Sequence, residues 1–315
     1  MAAWTEVAAG VFQRRYQPHD VSVCVIRGTG GLLVADTRSS HRQADEIRDD
    51  LRELGTLPVR WVVNTHAHFD HTFGNARFGP GSDIGAPIYG HERVPAHLDA
   101  YERPMLAELI ASGEEPRDEW AEIVITPPTV LVGEAMTLDL GGIAAELRYL
   151  GRGHTDNDLL VHVPASGVWL TGDLVEESGP PVYASGSFPL DWPVTIGRLR
   201  AALREGDVLV PGHGAVVDSV FLAAQHEQLA AAAALVTELH AAGVPEQDAE
   251  AEAGDRWPFP KALYGGGFAA AVRDGYKVLA LGSTQPAGDT PDPGGPEPPG
   301  GLRPAPGPKS PAPGL

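Results

Sequence analysis

The feature that most constrains this chain is a cluster of metal-binding side chains directly after a predicted strand. The segment Thr65-His66-Ala67-His68-Phe69-Asp70-His71 follows the apolar residues Trp61-Val62-Val63 and Asn64. Imidazole and carboxylate hold zinc, iron or manganese, and without a metal such a cluster would carry a large desolvation cost. In an extended chain His66 and His68 point to the same side. Asp70 and His71 follow as the chain turns, so the spacing favours two neighbouring metals over one.

Three later segments each place one further candidate ligand beside glycine at the end of a predicted strand. They are Gly153-His154-Thr155, Leu170-Thr171-Gly172-Asp173 and Pro211-Gly212-His213-Gly214. A lone aspartate or histidine at a strand end is usually a cap or turn residue, but three in this order after the cluster indicate a shared site. We interpret the other histidines as surface or core residues: His19, His41, His91, His97, His162, His226 and His240.

The order of these ligands resembles a known family. His66-x-His68-x-Asp70-His71, followed by His154, Asp173 and His213, is similar to the pattern of the metallo-β-lactamase superfamily, closest to its glyoxalase II-like branch. The resemblance covers roughly residues 4–215. It implies an α/β fold, the αββα metallo-β-lactamase sandwich, with a two-metal site at one edge of the paired sheets.

The resemblance also implies which residues bind which metal. The first metal would take His66, His68 and His154, the second would take Asp70, His71 and His213, and Asp173 would bridge both. The implied cofactors are two divalent metal ions. Zn²⁺ is favoured, and Fe or Mn is left open because mixed His/Asp sites accept all three.

Two aspartates refine this interpretation. β-Lactam-hydrolysing members of the family often carry cysteine at the position of Asp173, and the only cysteine here, Cys24, lies in a predicted early strand. β-Lactam hydrolysis is therefore an alternative rather than the preferred function. Asp36 ends the third predicted strand, where the family often uses an aspartate to support the metal loop without binding metal. The other interpretation of Asp36 is a turn residue before the next helix.

Hydrophobic patterning predicts strands and helices on both sides of the cluster. Strands are expected at residues 11–16, 21–27, 31–36 and 59–64, and a helix at 41–54, where Ser40 and Gln43 form a capping box. After the cluster, strands are expected at 129–132, 136–140, 144–150, 159–163 and 167–170, which together form the second sheet. This order is typical of a layered α/β fold.

Two segments could border the site. Residues 91–125 form a helical insertion that could roof it. Residues 176–192 contain prolines and glycines that indicate an irregular loop, and this loop follows Asp173 directly. Its aromatic residues Tyr183, Phe188 and Trp192 are candidate substrate contacts, and packing of the loop onto the body of the protein is the alternative.

The C-terminal part divides into helices and a tail. Helical segments are expected at about 219–242 and 260–281, so the catalytic domain spans residues 1–282 with C-terminal helices at 219–281. Residues 283–315 are rich in proline and glycine and have almost no apolar side chains, which predicts a disordered tail. We assign this tail no function.

Composition limits the partners and the compartment. The net charge of −19 disfavours nucleic-acid binding, because a phosphate backbone repels such a surface. A run of about eighteen apolar residues, which a membrane span needs, is absent from the sequence, and the N-terminal residues show no signal-peptide pattern. We therefore expect a cytoplasmic enzyme that acts on a small molecule without nucleic-acid or membrane partners. The oligomeric state is unknown.

The ligand types predict a hydrolase. A hydroxide bridging two divalent metals is a nucleophile at neutral pH, and Asp70 and Asp173 would act as catalytic residues that fix the metals and orient it. We predict a binuclear metal-dependent hydrolase that cleaves a thioester or cyclic ester. The alternatives are a β-lactam-hydrolysing enzyme, a non-catalytic binding module, and a mononuclear iron oxygenase that resembles persulfide dioxygenases. A glutathione thioester would need basic and tyrosine contacts, for which the candidates are Arg256, Lys261, Tyr264, Arg273 and Lys277.

Overall fold

The computed structural model describes residues 3–113, 116–260 and 267–283, and these residues form twelve strands and nine helices. The strands are β1 (Thr5–Ala8), β2 (Val11–Tyr16), β3 (Val21–Gly28), β4 (Gly31–Ala35), β5 (Val59–Val63), β6 (Ile88–His91), β7 (Val130–Val132), β8 (Ala135–Asp139), β9 (Ala144–Tyr149), β10 (Leu159–Val163), β11 (Val168–Glu176) and β12 (Val208–His213). The helices are α1 (His41–Asp50), α2 (Phe69–Thr72), α3 (Val94–His97), α4 (Arg103–Ser112), α5 (Arg117–Glu122), α6 (Trp192–Ala202), α7 (Ser219–Ala241), α8 (Ala249–Ala253) and α9 (Phe268–Ser283). The predicted tail, residues 283–315, lies outside the described residues apart from Ser283.

The strands form one continuous sheet that is folded into two halves. The first half-sheet runs β7-β6-β5-β4-β3 and continues through β2 to β1, and the second runs β12-β11-β10-β9-β8. One antiparallel residue pair, Val21 with His213, joins β3 to β12. Strands β4, β5 and β6 are parallel, as are β11 and β12, so the chain leaves these strands at a common edge.

Side chains alternate across the strands, so each half-sheet buries both of its faces. Along β3, Cys24 and Ile26 point into the core between the half-sheets, whereas Val23 and Val25 pack with Ile47 of α1. Helices α6, α7, α8 and α9 cover the outer face of the second half-sheet. Helix, sheet, sheet and helix layers follow one another, which confirms the predicted αββα sandwich with C-terminal helices.

One strand lies in a different half-sheet from the predicted one. Residues 129–132 are predicted to join the second sheet, and this prediction is wrong, because β7 pairs parallel with β6 at the edge of the first half-sheet. The backbone N–H of Thr129 donates to the carbonyl oxygen of Ile88 at 2.8 Å, so the chain rejoins its starting sheet directly after the insertion. Patterning identifies a strand, but the choice of partner depends on residues far away in sequence.

Helix α6 is absent from the sequence prediction, which treats residues 176–192 as an irregular loop. Strand β11 continues through Glu176, and α6 begins at Trp192 with Pro193 in its first turn. Proline suits this position because its fixed φ matches the helix. Ile196 and Leu199 then pack on the second half-sheet, so the irregular segment is shorter than predicted.

The predicted helical insertion, residues 91–125, packs against the loop that carries the metal-binding motif. His91 is the last residue of β6 rather than the start of a helix. After α3, the chain makes a π-helical turn at Leu98–Glu102 and continues into α4 and α5. Val94 and Leu98 pack on Ala67 of the motif loop, which brings the insertion next to the site.

Helix starts agree with the prediction where a capping side chain fixes them. The hydroxyl of Ser40 accepts from the N–H of Gln43 at 3.2 Å, and α1 begins at the next residue. Asp218 caps α7 in the same way. The helix predicted at 260–281 corresponds to α9, which is described from Phe268, and residues 261–266 lie outside the described residues. Among the described helices, none is both long and apolar enough to cross a membrane.

Candidate metal centre

The seven predicted ligands lie together at the edge of the sandwich where strands of both half-sheets end. Strand β5 leads into the loop that carries the first two histidines, and α2 turns the next two ligands toward the same point. Strands β11 and β12 each supply one ligand from the second half-sheet. The set is His66, His68, Asp70, His71, His154, Asp173 and His213, and every member is buried.

The first group of ligands consists of three histidine rings. The Nδ1 of His68 lies 3.1 Å from the Nε2 of His66 and 2.8 Å from the Nε2 of His154. The Oδ2 of Asp173 approaches to 3.7 Å from His66 and 3.5 Å from His154. Nitrogen ligands at about 2.0–2.1 Å from a tetrahedral zinc lie about 3.3 Å apart, so this spacing suits one zinc ion.

The second group combines two carboxylates with two histidine rings. The Oδ2 of Asp70 lies 3.2 Å from the Nε2 of His213 and 3.6 Å from the Nε2 of His71. The Oδ1 of Asp173 lies 3.3 Å from His71, and its Oδ2 lies 3.3 Å from His213. Asp173 therefore faces both groups, and its buried Oδ1 has no hydrogen-bond partner, which leaves it available to a cation.

The histidine rings are oriented by hydrogen bonds on their outer nitrogens. The outer partners are backbone oxygens for three rings: Ser185 O for His68 Nε2 at 3.0 Å, Val182 O for His154 Nδ1 at 3.0 Å, and His19 O for His213 Nδ1 at 2.7 Å. A carbonyl oxygen only accepts, so the outer nitrogen of each of these rings is protonated, and the neutral form of each ring turns a lone pair inward. Converging lone pairs fit bound cations, and the residues present therefore fit two divalent metals.

Asp36 orients the two remaining rings. Its Oδ2 accepts from the Nδ1 of His71 at 2.9 Å and from the hydroxyl of Thr65 at 2.8 Å. That hydroxyl oxygen lies 3.1 Å from the Nδ1 of His66, from which it accepts. Asp36 has a φ of 66°, which is rare for a residue with a side chain. The structure thus places this predicted supporting residue behind one ring of each group.

Glycines beside the strand-end ligands allow close approach of the backbone. A Cβ atom on Gly212 would lie 1.8 Å from the Oδ1 of Asp173. Gly172 has a φ of 51°, and a Cβ atom there would lie 2.7 Å from the side chain of Thr65. Close packing therefore explains why glycine occupies these two positions. Any side chain there would displace the ligand Asp173 or the supporting residue Thr65.

The two groups differ in their electrostatics. Burial and the neighbouring rings lower the pKa of His154 to about 3, and they hold the pKa of His66 well below its usual value. Burial opposes the charged forms of His71 and His213 as well, but nearby carboxylates, led by Asp173, outweigh it and raise the pKa of both rings. The first group is therefore neutral and ready to bind a cation at neutral pH, whereas the second must release protons to do so.

A cavity of about 320 Å³ opens onto the cluster. Phe69, Met105 and Val182 form part of an apolar wall, and two acidic residues, Glu102 of the insertion and Glu176 of β11, also line it. Burial raises the pKa of Glu176 to about 8. Among the described residues that line the cavity, none is lysine or arginine, so the protein surface here offers acceptors and apolar contacts.

The aromatic residues predicted as substrate contacts lie outside this lining. Tyr183 and Trp192 are buried with ring centroids 5.3 Å apart, and the indole N–H of Trp192 donates to the carbonyl oxygen of Leu174. Trp192 also contacts the ring of His154 at 5.4 Å between centroids, behind the ligand. Phe188 packs under the guanidinium of Arg152 beside a separate cavity. The three aromatic side chains of the loop therefore pack onto the body of the protein, as in the alternative interpretation, and do not line the cavity.

Sequence patterning missed two residues of the insertion that lie beside the cluster. His97, interpreted from the sequence as a surface or core residue, has its ring centroid 5.2 Å from that of His68. Glu102 lines the cavity five positions later. In a regular α-helix these two would point to different sides, but the π-helical turn, in which the N–H of Arg103 donates to the carbonyl oxygen of Leu98, places them together. No periodicity in the sequence signals that turn.

Comparison with known proteins agrees with this geometry. The family model described as the metallo-beta-lactamase superfamily matches residues 16–213. Metallo-beta-lactamase IND-1 of Chryseobacterium indologenes is 24% identical over 185 residues, which are 58% of this chain and 67% of that protein. A type 2 metallo-beta-lactamase of Bacillus sp. (strain 170) is 24% identical over 223 residues, which are 70% of this chain and 76% of that protein.

The fold also matches solved structures. The sec-alkylsulfatase Pisa1 of Pseudomonas sp. superposes with a TM-score of 0.69 at 19% identity and covers 93% of this chain and 52% of its own. This likeness concerns the fold alone. Its coverage shows that the likeness extends beyond residue 213 into the C-terminal helices.

Proposed function

The chain belongs to the metallo-β-lactamase superfamily, whose members are metal-dependent hydrolases, and we propose that it hydrolyses a small thioester or cyclic ester that carries no negative charge. The observation that carries this proposal is the cavity at the cluster. It is small, partly apolar and lined by carboxylates, with no lysine or arginine among its described lining residues. A nucleic acid or another large anion would find no room there and no basic side chain to bind it.

We propose two zinc ions as cofactors, with iron or manganese as alternatives. His66, His68 and His154 would hold one ion, and Asp70, His71 and His213 would hold the other. Asp173 would contact both. The support is that the ligand atoms of each group lie within 4.8 Å of one another. A mononuclear iron oxygenase would leave the second group without a role, so two metals are favoured.

The metals, when bound, would lower the pKa of a water molecule and polarise the substrate carbonyl. The protein's own residues do the rest. The carboxylates of Asp70 and Asp173 line the cavity, so they can accept a hydrogen bond from the attacking water and orient it. Phe69 and Met105 shield the acyl group from bulk water. The products would be a carboxylate and a thiol or alcohol, and no serine or cysteine nucleophile is needed.

The charge around the cavity disfavours two related kinds of substrate, β-lactams and glutathione thioesters. The carboxylates of a β-lactam or of glutathione would need a cationic partner beyond the metals. Of the basic residues considered for that role, Arg256 pairs with Glu238, and Arg273 and Lys277 pair with Asp274. Lys261 and Tyr264 lie outside the described residues. We therefore base the proposal of a glyoxalase II-like enzyme on the ligand pattern, including Asp173, and not on a glutathione site.

β-Lactam hydrolysis is the second candidate. It is favoured by the names of the relatives, two of which are metallo-beta-lactamases at 24% identity. It is disfavoured by Asp173 at a position where β-lactam-hydrolysing members often have cysteine.

The test combines metal content with a substrate panel. Protein purified without added metal or chelator should contain about two zinc ions per chain by plasma mass spectrometry. Its kcat/KM should be at least about tenfold higher for γ-butyrolactone or an uncharged alkyl thioester than for nitrocefin or S-lactoylglutathione, because one good charge contact contributes about 1.4 kcal/mol or more. Preference for nitrocefin would favour the second candidate, and a single iron ion per chain would favour the oxygenase.

A further inference from the structure

A buried histidine–glutamate pair from the insertion lies beside the same cavity. Neither of its two residues belongs to the two ligand groups. Glu102 and His97 are 1% and 4% exposed, and the Nε2 of His97 lies 3.5 Å from the Oε1 of Glu102. The other carboxylate oxygen, Oε2 of Glu102, is buried without any hydrogen-bond partner. A buried charged acceptor left unpaired is costly, so this oxygen is suited to a donor that the protein itself does not supply.

The hydrogen bond between His97 and Asn157 shows which ring nitrogen of His97 carries the proton. The amide nitrogen of Asn157 lies 2.9 Å from the Oδ1 of Asp156 and 3.2 Å from the Nδ1 of His97. A carboxylate only accepts, so the atom facing Asp156 must be the amide nitrogen, and its second hydrogen points to His97. The Nδ1 of His97 is therefore an acceptor, and its proton lies on Nε2, which faces Glu102. The Nε2 of His97 lies 3.5 Å from Oε1 of Glu102 but makes no hydrogen bond, so this donor and the acceptor Oε2 of Glu102 are both left without partners.

The position of Glu102 puts its carboxylate next to the ligand cluster. Glu102 and His97 each offer a ligand atom within 4.8 Å of a ring nitrogen of His68, a member of the first ligand group. Glu102 also lines the cavity beside Met105, one turn further along the insertion. A substrate whose carbonyl lies at the cluster would therefore present its α- or β-carbon near this carboxylate.

We propose, on the basis of the function proposed above, that Glu102 determines specificity by accepting a hydrogen bond from an ammonium or hydroxyl group of the substrate. The donor would lie on the α- or β-carbon of the acyl group. The preferred substrates are then thioesters or lactones of amino or hydroxy acids. The same pairing explains why the cavity is acidic, because a donor, and above all a cationic one, binds there while an anion is repelled.

A third metal at this place is the other use of these side chains. Ligand atoms of His68, His97 and Glu102 lie within 4.8 Å of one another. The hydrogen bonds argue against a cation between them. The Nε2–H of His68 is donated to the carbonyl oxygen of Ser185, and the Nε2 of His97 carries a proton, so neither ring has a lone pair facing Glu102.

The experiment measures binding, so that it is independent of turnover. Acetohydroxamate and glycinohydroxamate differ only in an α-ammonium group and both chelate active-site metals. Calorimetry on the metal-loaded full chain should show glycinohydroxamate binding at least about tenfold more tightly. Glu102→Gln should abolish or reverse this preference and leave binding of acetohydroxamate within about threefold. The matched control is Glu108→Gln on the exposed side of the same insertion, which should behave as the wild type.

Other outcomes overturn the proposal. Equal binding of the two probes by the wild type, no binding of either by metal-loaded protein, or an unchanged preference in Glu102→Gln would each contradict the subsite. Three metals per chain, with one lost in Glu102→Gln, would show the third metal instead. If Glu102→Gln folds poorly by its melting temperature, Glu102→Ala replaces it. Intact discrimination without hydrolysis of any ester would overturn the proposed reaction but not the subsite.

Discussion

The two walls of the cavity are built on different principles. The ligand wall, made of the seven metal-facing residues, has a partner for every outer ring nitrogen, as His68, His154 and His213 show. The insertion wall, made of His97 and Glu102, contains buried polar atoms without partners. The ring orientations of the ligand wall are fixed by the protein before anything binds. The insertion wall is incomplete until something binds, and this difference assigns metal binding to one wall and substrate choice to the other.

The largest expected effect is on the ligand wall, at Asp173. Asp173→Ala removes the one carboxylate that faces both groups, so it should release metal from each and lower turnover by more than about a hundredfold. Metal per chain, measured by plasma mass spectrometry, checks this, with Asp118→Ala on the exposed face of α5 as control. Normal metal content and normal turnover in Asp173→Ala would break the comparison, because the ligand wall would then not depend on its central residue.

A smaller effect is expected one layer behind the ligands. Asp36→Asn keeps the shape of the side chain but removes the charge that accepts from His71 and Thr65. Metal affinity should fall by about 10- to 100-fold, as measured by competition with a chelator. The preference between the two hydroxamates should stay as in the wild type at saturating metal. A change in that preference would show that the two walls are not independent.

The pH dependence of stability should reveal a contribution from His91, at the start of the insertion, that is separate from both walls. Burial, assisted by Arg93, lowers the pKa of His91 to about 4, whereas an unfolded histidine titrates near 6.5. Because the folded-state pKa is lower, the unfolded chain binds more protons between these values. His91 therefore stabilises the fold above about pH 6.5, and this contribution is lost as the pH falls toward 4.

The variant His91→Gln keeps an acceptor for the N–H of Arg93 and removes the titration. Its melting temperature should fall less than that of the wild type between pH 7 and pH 5, by about 2–4 °C per kcal/mol of lost stability. Comparing the two proteins at each pH cancels the acid sensitivity that both share through the metal ligands. A parallel fall in both would show that His91 makes no contribution to the acid sensitivity.

The smallest effect is expected from removing the residues that follow α9. Their composition, rich in proline and glycine, predicts no contribution to the packed core. A chain that ends after Ser283 should keep its melting temperature within about 1 °C and its metal content and turnover unchanged. A large loss would mean that a further wall of the cavity comes from the C-terminus.

The same contrast explains which parts could be predicted from the sequence. Four ligands of the cluster lie within six residues, so their spacing alone indicates a metal site. Ser40 and Asp218 mark the starts of their helices by local hydrogen bonds. The histidine–glutamate pair could not be predicted. The approach of His97 to Glu102 depends on a π-helical turn and on the side-chain amide of Asn157, which comes from a distant loop. The partner strand of β7 was predicted wrongly because it, too, is set by contacts between residues that are far apart in sequence.

The seam between the half-sheets gives the ligand arrangement a further consequence. Among the described residues, a single strand pair, Val21 with His213, joins β3 to β12. Each ligand group takes residues from both sides of that seam, because His154 and His213 come from the second half. A cation in either group would crosslink the halves. Its binding energy would add to the energy of folding. In a cell, the metal supply would then affect how long each molecule survives, because a chain without its ions lacks this crosslink and unfolds more readily, which exposes it to proteases.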